Sequence, residues 1–399
     1  MKTESTDAVI IGGGPAGLAA AIALANRGAK CTVVDFKKPP IDKPCGEGLM
    51  PDSLKELAKL GIDLPKTSGF VFDGIRFKRG KYQVESSFPL GEGLGVRRTV
   101  LHRALVSKAE ESKNISLLWN TRVSRIDPDS VCVGDREISY KWLIGADGIN
   151  SAVRKWTSLD VGESATFRYG FRSHYLIEPW TSRMELHWAD IGQMYVTPVS
   201  KDEVCVVFLS RDKSMRFEQA LQHFPELNER LNGACLSSKL QGAVTAIRTL
   251  RSVSRENTAL IGDASGSVDA ITGEGLASSF RQALALADAL EQNDLAFYAK
   301  AHKSLAQLPT RMAQLMLILD RLPGLQDRII RALSLTPDSF GNLLNAHVGH
   351  QSLPLTICRE IPKIAWNIFA PEETGSECDS IPFPIPAQTT SKPEVTKIA

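Results

Sequence analysis

The sequence predicts an α/β fold. It should contain a three-layer unit on a parallel sheet, an antiparallel β-sheet domain beside it, and a helical C-terminal segment. Three observations predict this. The stretch Asp7-Ala8-Val9-Ile10-Ile11-Gly12-Gly13-Gly14-Pro15-Ala16-Gly17-Leu18 is an apolar, β-branched run that breaks into spaced glycines and opens an alanine-rich helix. Two later runs, Trp142-Leu143-Ile144-Gly145-Ala146-Asp147 and Thr258-Ala259-Leu260-Ile261-Gly262-Asp263, repeat the pattern of an apolar strand ending in glycine and aspartate. Between them, residues 163 to 210 alternate polar and apolar side chains, the pattern of an antiparallel sheet with two different faces.

The first run carries chemistry. Gly12-x-Gly14-x-x-Gly17 stands between a strand and a helix, which is the context a dinucleotide fingerprint requires. Gly12 allows the tight turn, Gly14 lets a pyrophosphate reach the backbone, and Gly17 lets helix and strand pack closely. Pro15 and Ala16 open the helix, whose N-terminal N–H groups and roughly half a positive charge suit phosphates. A second strand, Cys31-Thr32-Val33-Val34, ends at Asp35, an acid placed to bond ribose hydroxyls.

The chain then continues in order. Residues 36 to 44 are dense in lysine and proline and read as an exposed loop. It leads to Cys45-Gly46-Glu47-Gly48-Leu49-Met50-Pro51, where two glycines around a glutamate suggest close backbone approach to something. Residues 52 to 60 read as a helix and 69 to 97 as strands and turns. Gly91, Gly93 and Gly95 lack the strand-to-helix context and are no second fingerprint. A helix opens at Arg98, with Leu101, Leu105 and Ala109 on one face, and a hairpin turns at Gly134-Asp135. After the alternating block comes one helical stretch, 217 to 231, and after Asp263 a long helix from about 276 to 290. Residues 295 to 350 keep helical periodicity, and 371 to 399 have the composition of a disordered tail.

Bulk properties narrow the function. The 399 residues are 43% apolar and 23% charged with net charge +2, an ordinary globular composition with nothing that points to nucleic acid. Seven scattered cysteines, none in CxxC spacing, suggest free thiols in a reducing compartment. No signal-peptide pattern and no run of about 18 apolar residues is readable, so a cytoplasmic location is expected. No Ser-His-Asp order or GxSxG elbow is present, and His347 with His350 lacks the carboxylates of a metal site, so no metal is expected.

Three motifs in this order carry a family resemblance: Gly12-x-Gly14-x-x-Gly17 with Asp35; Gly145-Ala146-Asp147-Gly148-x-x-Ser151-x-x-Arg154; and Gly262-Asp263-Ala264 with Thr272-Gly273-Glu274-Gly275. Together they resemble the FAD-dependent aromatic-hydroxylase (monooxygenase) superfamily over roughly residues 5 to 295. The Cys-Gly-Glu-Gly-Leu and Thr-Gly-Glu-Gly stretches look closer to its geranylgeranyl-reductase-like branch. Asp269-Ala270 stands where this superfamily often has proline. The resemblance implies a Rossmann-like FAD-binding domain of the glutathione-reductase type, built from 1–78, 98–160 and 252–295. It implies a β-rich substrate domain from 79–97 and 161–251, then C-terminal helices over 296–370.

FAD is therefore the expected cofactor, bound without a covalent link, with NADPH or NADH as electron donor. Expected cofactor contacts are Gly12, Gly14, Pro15, Ala16, Gly17, Asp35, Cys45, Gly46, Arg98 (with Arg97 competing), Val123, Asp147, Gly262, Asp263, Gly273, Glu274, Gly275 and Leu276. The flavin carries the reaction, so no catalytic side chain is assigned beyond Cys45, a candidate on its glycine neighbours and its position after the fingerprint unit. Tyr169, Trp188, Met194 and Tyr195 are expected to line the substrate pocket under the sheet. Two reactions stand side by side. Either reduced flavin and O₂ oxygenate a lipid, polyketide or aromatic compound of secondary metabolism through a hydroperoxide, or reduced flavin delivers hydride to an isoprenoid double bond. Halogenation is disfavoured, because no Trp-x-Trp-x-Ile-Pro stretch is present. Peripheral membrane contact through the C-terminal helices, and an external flavin or electron-transfer partner, stay open.

Overall fold

The computed structural model describes residues 2–160 and 164–369; the expected tail lies outside the described residues. The first sheet runs in the order Ser254–Arg255, Thr258–Leu260, Arg136–Gly145, Lys2–Ile11, Cys31–Val34, Ile115–Leu118. Lys2–Ile11 lies parallel to both neighbours, with Ile10 opposite Ile144 on one side and Val33 on the other. Alternate residues face opposite ways. Ala8 and Ile10 pack under the helices Pro15–Ala25, Arg98–Glu110 and Gly275–Glu291, while Val9 and Ile11 meet Val131 and Val133 of a β-hairpin layer. Helices, parallel sheet and hairpin make the three layers.

The second sheet orders Cys235–Leu236, Ser164–Leu176, Glu203–Ser210, Gly192–Ser200, Arg183–Ala189, Gly74–Arg79 and Tyr82–Ser87, with Gln241–Thr249 also paired to Ser164–Leu176. It is antiparallel except where Gly74–Arg79 lies parallel to Arg183–Ala189. That strand crosses the domain boundary expected at residue 78, so the second sheet starts at Gly74. Alternation within 69–97 could not say which sheet would take the strand, because pairing partners lie a hundred residues away. The single helix expected over 217–231 is two, Phe217–Leu221 and Pro225–Leu231. The residue before a proline avoids the helical region, and Phe224 is the break.

Among the described residues, four helices follow the last strand's helix: Leu295–Asp320, Pro323–Leu335, Pro337–His347 and Leu353–Phe369. Pro323 and Pro337 stand at the first helical position, where the missing N–H costs nothing. Ile330, Leu333 and Phe340 of these helices pack against Val84, Leu186 and Trp188 of the second sheet. No helix among the described residues is long and apolar enough to cross a membrane.

Candidate active site

The fingerprint glycines have separable jobs. Gly12 sits at φ +114°, and a Cβ there would lie 2.3 Å from the Ala146 carbonyl oxygen. A Cβ on Gly17 would lie 1.9 Å from the Gly12 carbonyl oxygen, so that glycine closes the helix onto the strand. A Cβ on Gly14 would meet nothing within 4 Å. The space beside Gly14 is a cavity of about 2170 Å³, lined near the fingerprint by Gly12, Gly14, Pro15, Ala16, Asp35, Val123 and Asp147. Its wall continues through Cys45, Gly46, Arg98, Gly262, Asp263, Gly273, Gly275 and Leu276. Gly46, Gly148 and Gly275 are likewise open where a Cβ would project.

Several of these side chains already have work within the protein. Asp35 accepts from the backbone N–H of Gly13 and of Lys37, both at 2.7 Å. Asp147 accepts from Ala152 N–H at 2.6 Å and Val153 N–H at 3.2 Å, capping the helix Ala152–Trp156. Arg154 of that helix is fully buried and donates to the carbonyls of Ile149 and Ala264, tying the second motif to the third. Asp263 is paired at 2.7 Å with Lys43 of the lysine- and proline-rich loop. Burial pushes its carboxyl up, but Lys43 and Arg98 outweigh this and hold it below the usual range. His102 holds the Gly13 carbonyl at 2.8 Å, and burial lowers its affinity for a proton.

Two adjacent arginines divide. Arg97 turns to Glu203 at 2.5 Å. Arg98 lines the cavity, and its buried Nε has no hydrogen-bond partner among the described residues. Cys45 lines the cavity as well, its sulfur 3.5 Å from the Glu47 N–H.

Glu47 is the residue that sequence reasoning underrated. It is 2% exposed, sits at φ +58°, and accepts from Arg98 N–H, Arg172 and His174 at 2.9, 3.0 and 2.7 Å. Arg172 also grips Asp42 with both nitrogens. This buried cluster ties the Cys45–Gly48 turn to the second sheet; a glutamate flanked by glycines was its only sequence signal.

Three expected contacts point elsewhere. Glu274 does not line the cavity; its carboxylate is 2% exposed and lies toward His347. Met194 belongs to the opposite face of the second sheet, with Val196, Val206 and Phe208. Tyr169 is half-buried and also outside the lining. In a strand adjacent residues point to opposite faces, so Met194 and Tyr195 cannot both face one pocket. The lining takes Tyr195, Trp188, Leu186, Met184 and Thr197. It continues under the C-terminal helices along Leu319, Ile329, Leu333, Phe340, Leu344 and His347, none of them expected as pocket residues.

The stretch 266–275 between fingerprint and pocket is pinned from above. Tyr195 Oη donates to the Ile271 carbonyl at 2.9 Å, and Arg168 donates to Asp269 at 2.9 Å, both side chains almost fully buried. The residues present fit FAD: a fingerprint open at Gly14, an unpartnered Arg98 Nε, a glycine-lined helix start at Gly275, and more volume than one ordinary ligand site of 300–1,000 Å³ requires.

Comparison with known proteins agrees. The family model described as FAD binding domain matches residues 5–293. A menaquinone reductase of Mycobacterium tuberculosis is 29% identical over 328 residues, spanning 73% of this chain and 78% of that protein. A para-nitrophenol 4-monooxygenase of Pseudomonas sp. is 23% identical over 331 residues, 71% of this chain and 77% of that protein. The crystal structure of a flavoprotein/dehydrogenase from Cytophaga hutchinsonii superposes with a TM-score of 0.75 at 18% identity, covering 86% of this chain and 93% of that one.

Proposed function

The chain belongs to the FAD-binding-domain family of flavin-dependent hydroxylases and monooxygenases, and from that premise we propose that it is an NAD(P)H-dependent monooxygenase of an apolar small molecule. The observation that carries the reading is continuity: one cavity runs from the fingerprint glycines, past Arg98 and Gly275, to an apolar chamber under the second sheet and the C-terminal helices. Bound FAD would supply the redox chemistry, with activation of O₂. The chain's own residues would bind and shield it. The helix start at Pro15 would take the pyrophosphate, and the helix start at Gly275 would offer its positive end to the pyrimidine edge. Lys43 and Asp263 would hold the ribityl side, and Trp188, Leu186 and Phe77 would exclude water from the reacting atoms. One fingerprint means one resident dinucleotide, so the nicotinamide donor would bind transiently.

A second reading, reduction of a quinone or a double bond, is favoured by the relative named menaquinone reductase. One experiment separates the two. FAD-loaded protein with NADPH and an apolar phenol or quinone is assayed for O₂ uptake and for labelled oxygen in the product. Label in the product supports the monooxygenase; a reduced product formed without O₂ overturns it in favour of the reductase.

A further inference from the structure

His347 closes the helix Pro337–His347, over three hundred residues beyond the fingerprint, yet it lines the cavity. Its Nδ1 lies 4.0 Å from Glu274 Oε1. Both residues are more than nine-tenths buried, Glu274 at 2% exposure and His347 at 8%. Both carry a buried polar atom with no hydrogen-bond partner among the described residues: His347 Nδ1 and Glu274 Oε2. Orphaned buried polar atoms are costly and mark a strained or functional arrangement. An unpartnered imidazole nitrogen 4.0 Å from a buried carboxylate, on a residue that lines the cavity, calls for an explanation that packing alone does not provide.

We propose that His347 is the proton-transfer residue of the substrate cavity and that Glu274 positions it. With Nδ1 turned to Glu274, the opposite nitrogen, Nε2, is the one available to a bound molecule. A carboxylate behind an imidazole sets its tautomer and steadies the imidazolium that forms. The gap of 4.0 Å is long for a hydrogen bond, and such contacts tighten when the site fills. The ligand class is a small molecule with an ionisable hydroxyl. Its O–H bond breaks, the electron pair stays on oxygen, and a new N–H bond forms at Nε2. Nothing is oxidised or reduced in this step. The resulting oxyanion is a more electron-rich substrate for an oxidising flavoprotein, and the reverse transfer delivers a proton when a product oxygen needs one.

The surroundings are compatible. Burial lifts the Glu274 carboxyl above its ordinary value, His347 opposes the rise, Asp52 adds to it and Arg281 opposes it. A more basic carboxylate is the stronger partner for an imidazolium. Arg281 is itself occupied by Asp52 and, at 3.8 Å, by Glu56. Asp52 and Arg281 thus act on Glu274 alongside His347, and they are ion-paired with each other.

The inference rests on the flavoprotein reading, and the test keeps the two apart. The probe is p-nitrophenol, whose phenolate absorbs in the visible and whose phenol does not. It is titrated with pH on the FAD-loaded wild type, His347→Gln, His347→Asn and Glu274→Gln, with bound FAD and the flavin spectrum recorded on each sample. On the wild type the bound probe should ionise at least about one pH unit below the free probe, a tenfold preference for the phenolate. Either His347 variant should abolish that preference with FAD content unchanged, and Glu274→Gln should reduce it. A preference that survives in a folded, FAD-loaded His347 variant overturns the proposal, as does a wild type that never shifts the probe. Protein that cannot take up FAD overturns the flavoprotein reading instead. Reduction without oxygen insertion, in a protein that still ionises the probe through His347, overturns the monooxygenase alone.

Discussion

At the scale of single residues, three glycines within six positions do different things, and substitutions should separate them. Gly14 has extended backbone angles that any residue tolerates, and its missing Cβ faces open cavity. Gly14→Val should therefore leave the thermal midpoint nearly unchanged and abolish FAD uptake, read as bound flavin absorbance after gel filtration. Gly17→Ala puts a carbon 1.9 Å from a carbonyl oxygen and should instead destabilise the fold, by roughly 2–3 kcal/mol of overpacking. A stable, FAD-binding Gly14→Val protein would deny the fingerprint its ligand. His302 supplies a pH prediction. It is held by Ser265 at 2.9 Å, and burial pushes its pKa down to about 4. A base whose folded pKa is depressed stabilises the fold above its unfolded value and loses that contribution as pH falls. The window is therefore pH 6.5 down to about 4, worth up to about 3 kcal/mol. Urea midpoints measured across that window should fall for the wild type and stay flatter for His302→Gln.

At the scale of elements, the stretch 266–275 matters most, because it joins the last core strand to the helix Gly275–Glu291. Asp269 accepts from Arg168 and from the Ile271 N–H, so one carboxylate shapes the turn and anchors it to the second sheet. Removing one partner of a buried ion pair leaves the other charge unpaired. Asp269→Ala should cost about 3 kcal/mol in denaturant unfolding and weaken FAD binding with it. Tyr195→Phe breaks only the bond to the Ile271 carbonyl and should cost about 1 kcal/mol while leaving the fold intact. If Asp269→Ala proved neutral in both readouts, the turn would be held by its own backbone and not by the sheet.

At the scale of the whole molecule, the cavity is assembled from three parts of the chain: the parallel-sheet unit, the second sheet and the C-terminal helices. Its two ends should therefore respond separately. Leu319 lines the end under the C-terminal helices and is only partly buried, so Leu319→Trp fills open space there without forcing the core apart. The variant should keep full FAD content and turn over small substrates while losing long ones by about tenfold or more. Equal loss across chain lengths would mean that the far chamber is not used by substrate.

The sequence by itself determined the parallel-sheet unit, the cofactor class and the order of its three motifs. These are local signals, in which each apolar run and the glycines or aspartate that end it lie within a dozen residues of one another. Asp35, Asp147 and Asp263 could be placed at strand ends from the sequence because strand, turn and helix follow in immediate succession. What only the tertiary structure decided lies between elements far apart in the chain. The Glu47 cluster draws on Asp42, Arg172 and His174, and the loop anchor on Arg168 and Asp269. The pocket side of the second sheet depended on a register that separates Met194 from Tyr195 by one residue. His347 read as an ordinary histidine near the end of a helical stretch. A carboxylate 73 positions earlier in the chain, brought to 4.0 Å by the packing of two helices and a turn, gives it a partner. Local patterns specify which face of an element is apolar; they do not specify what will be packed against it.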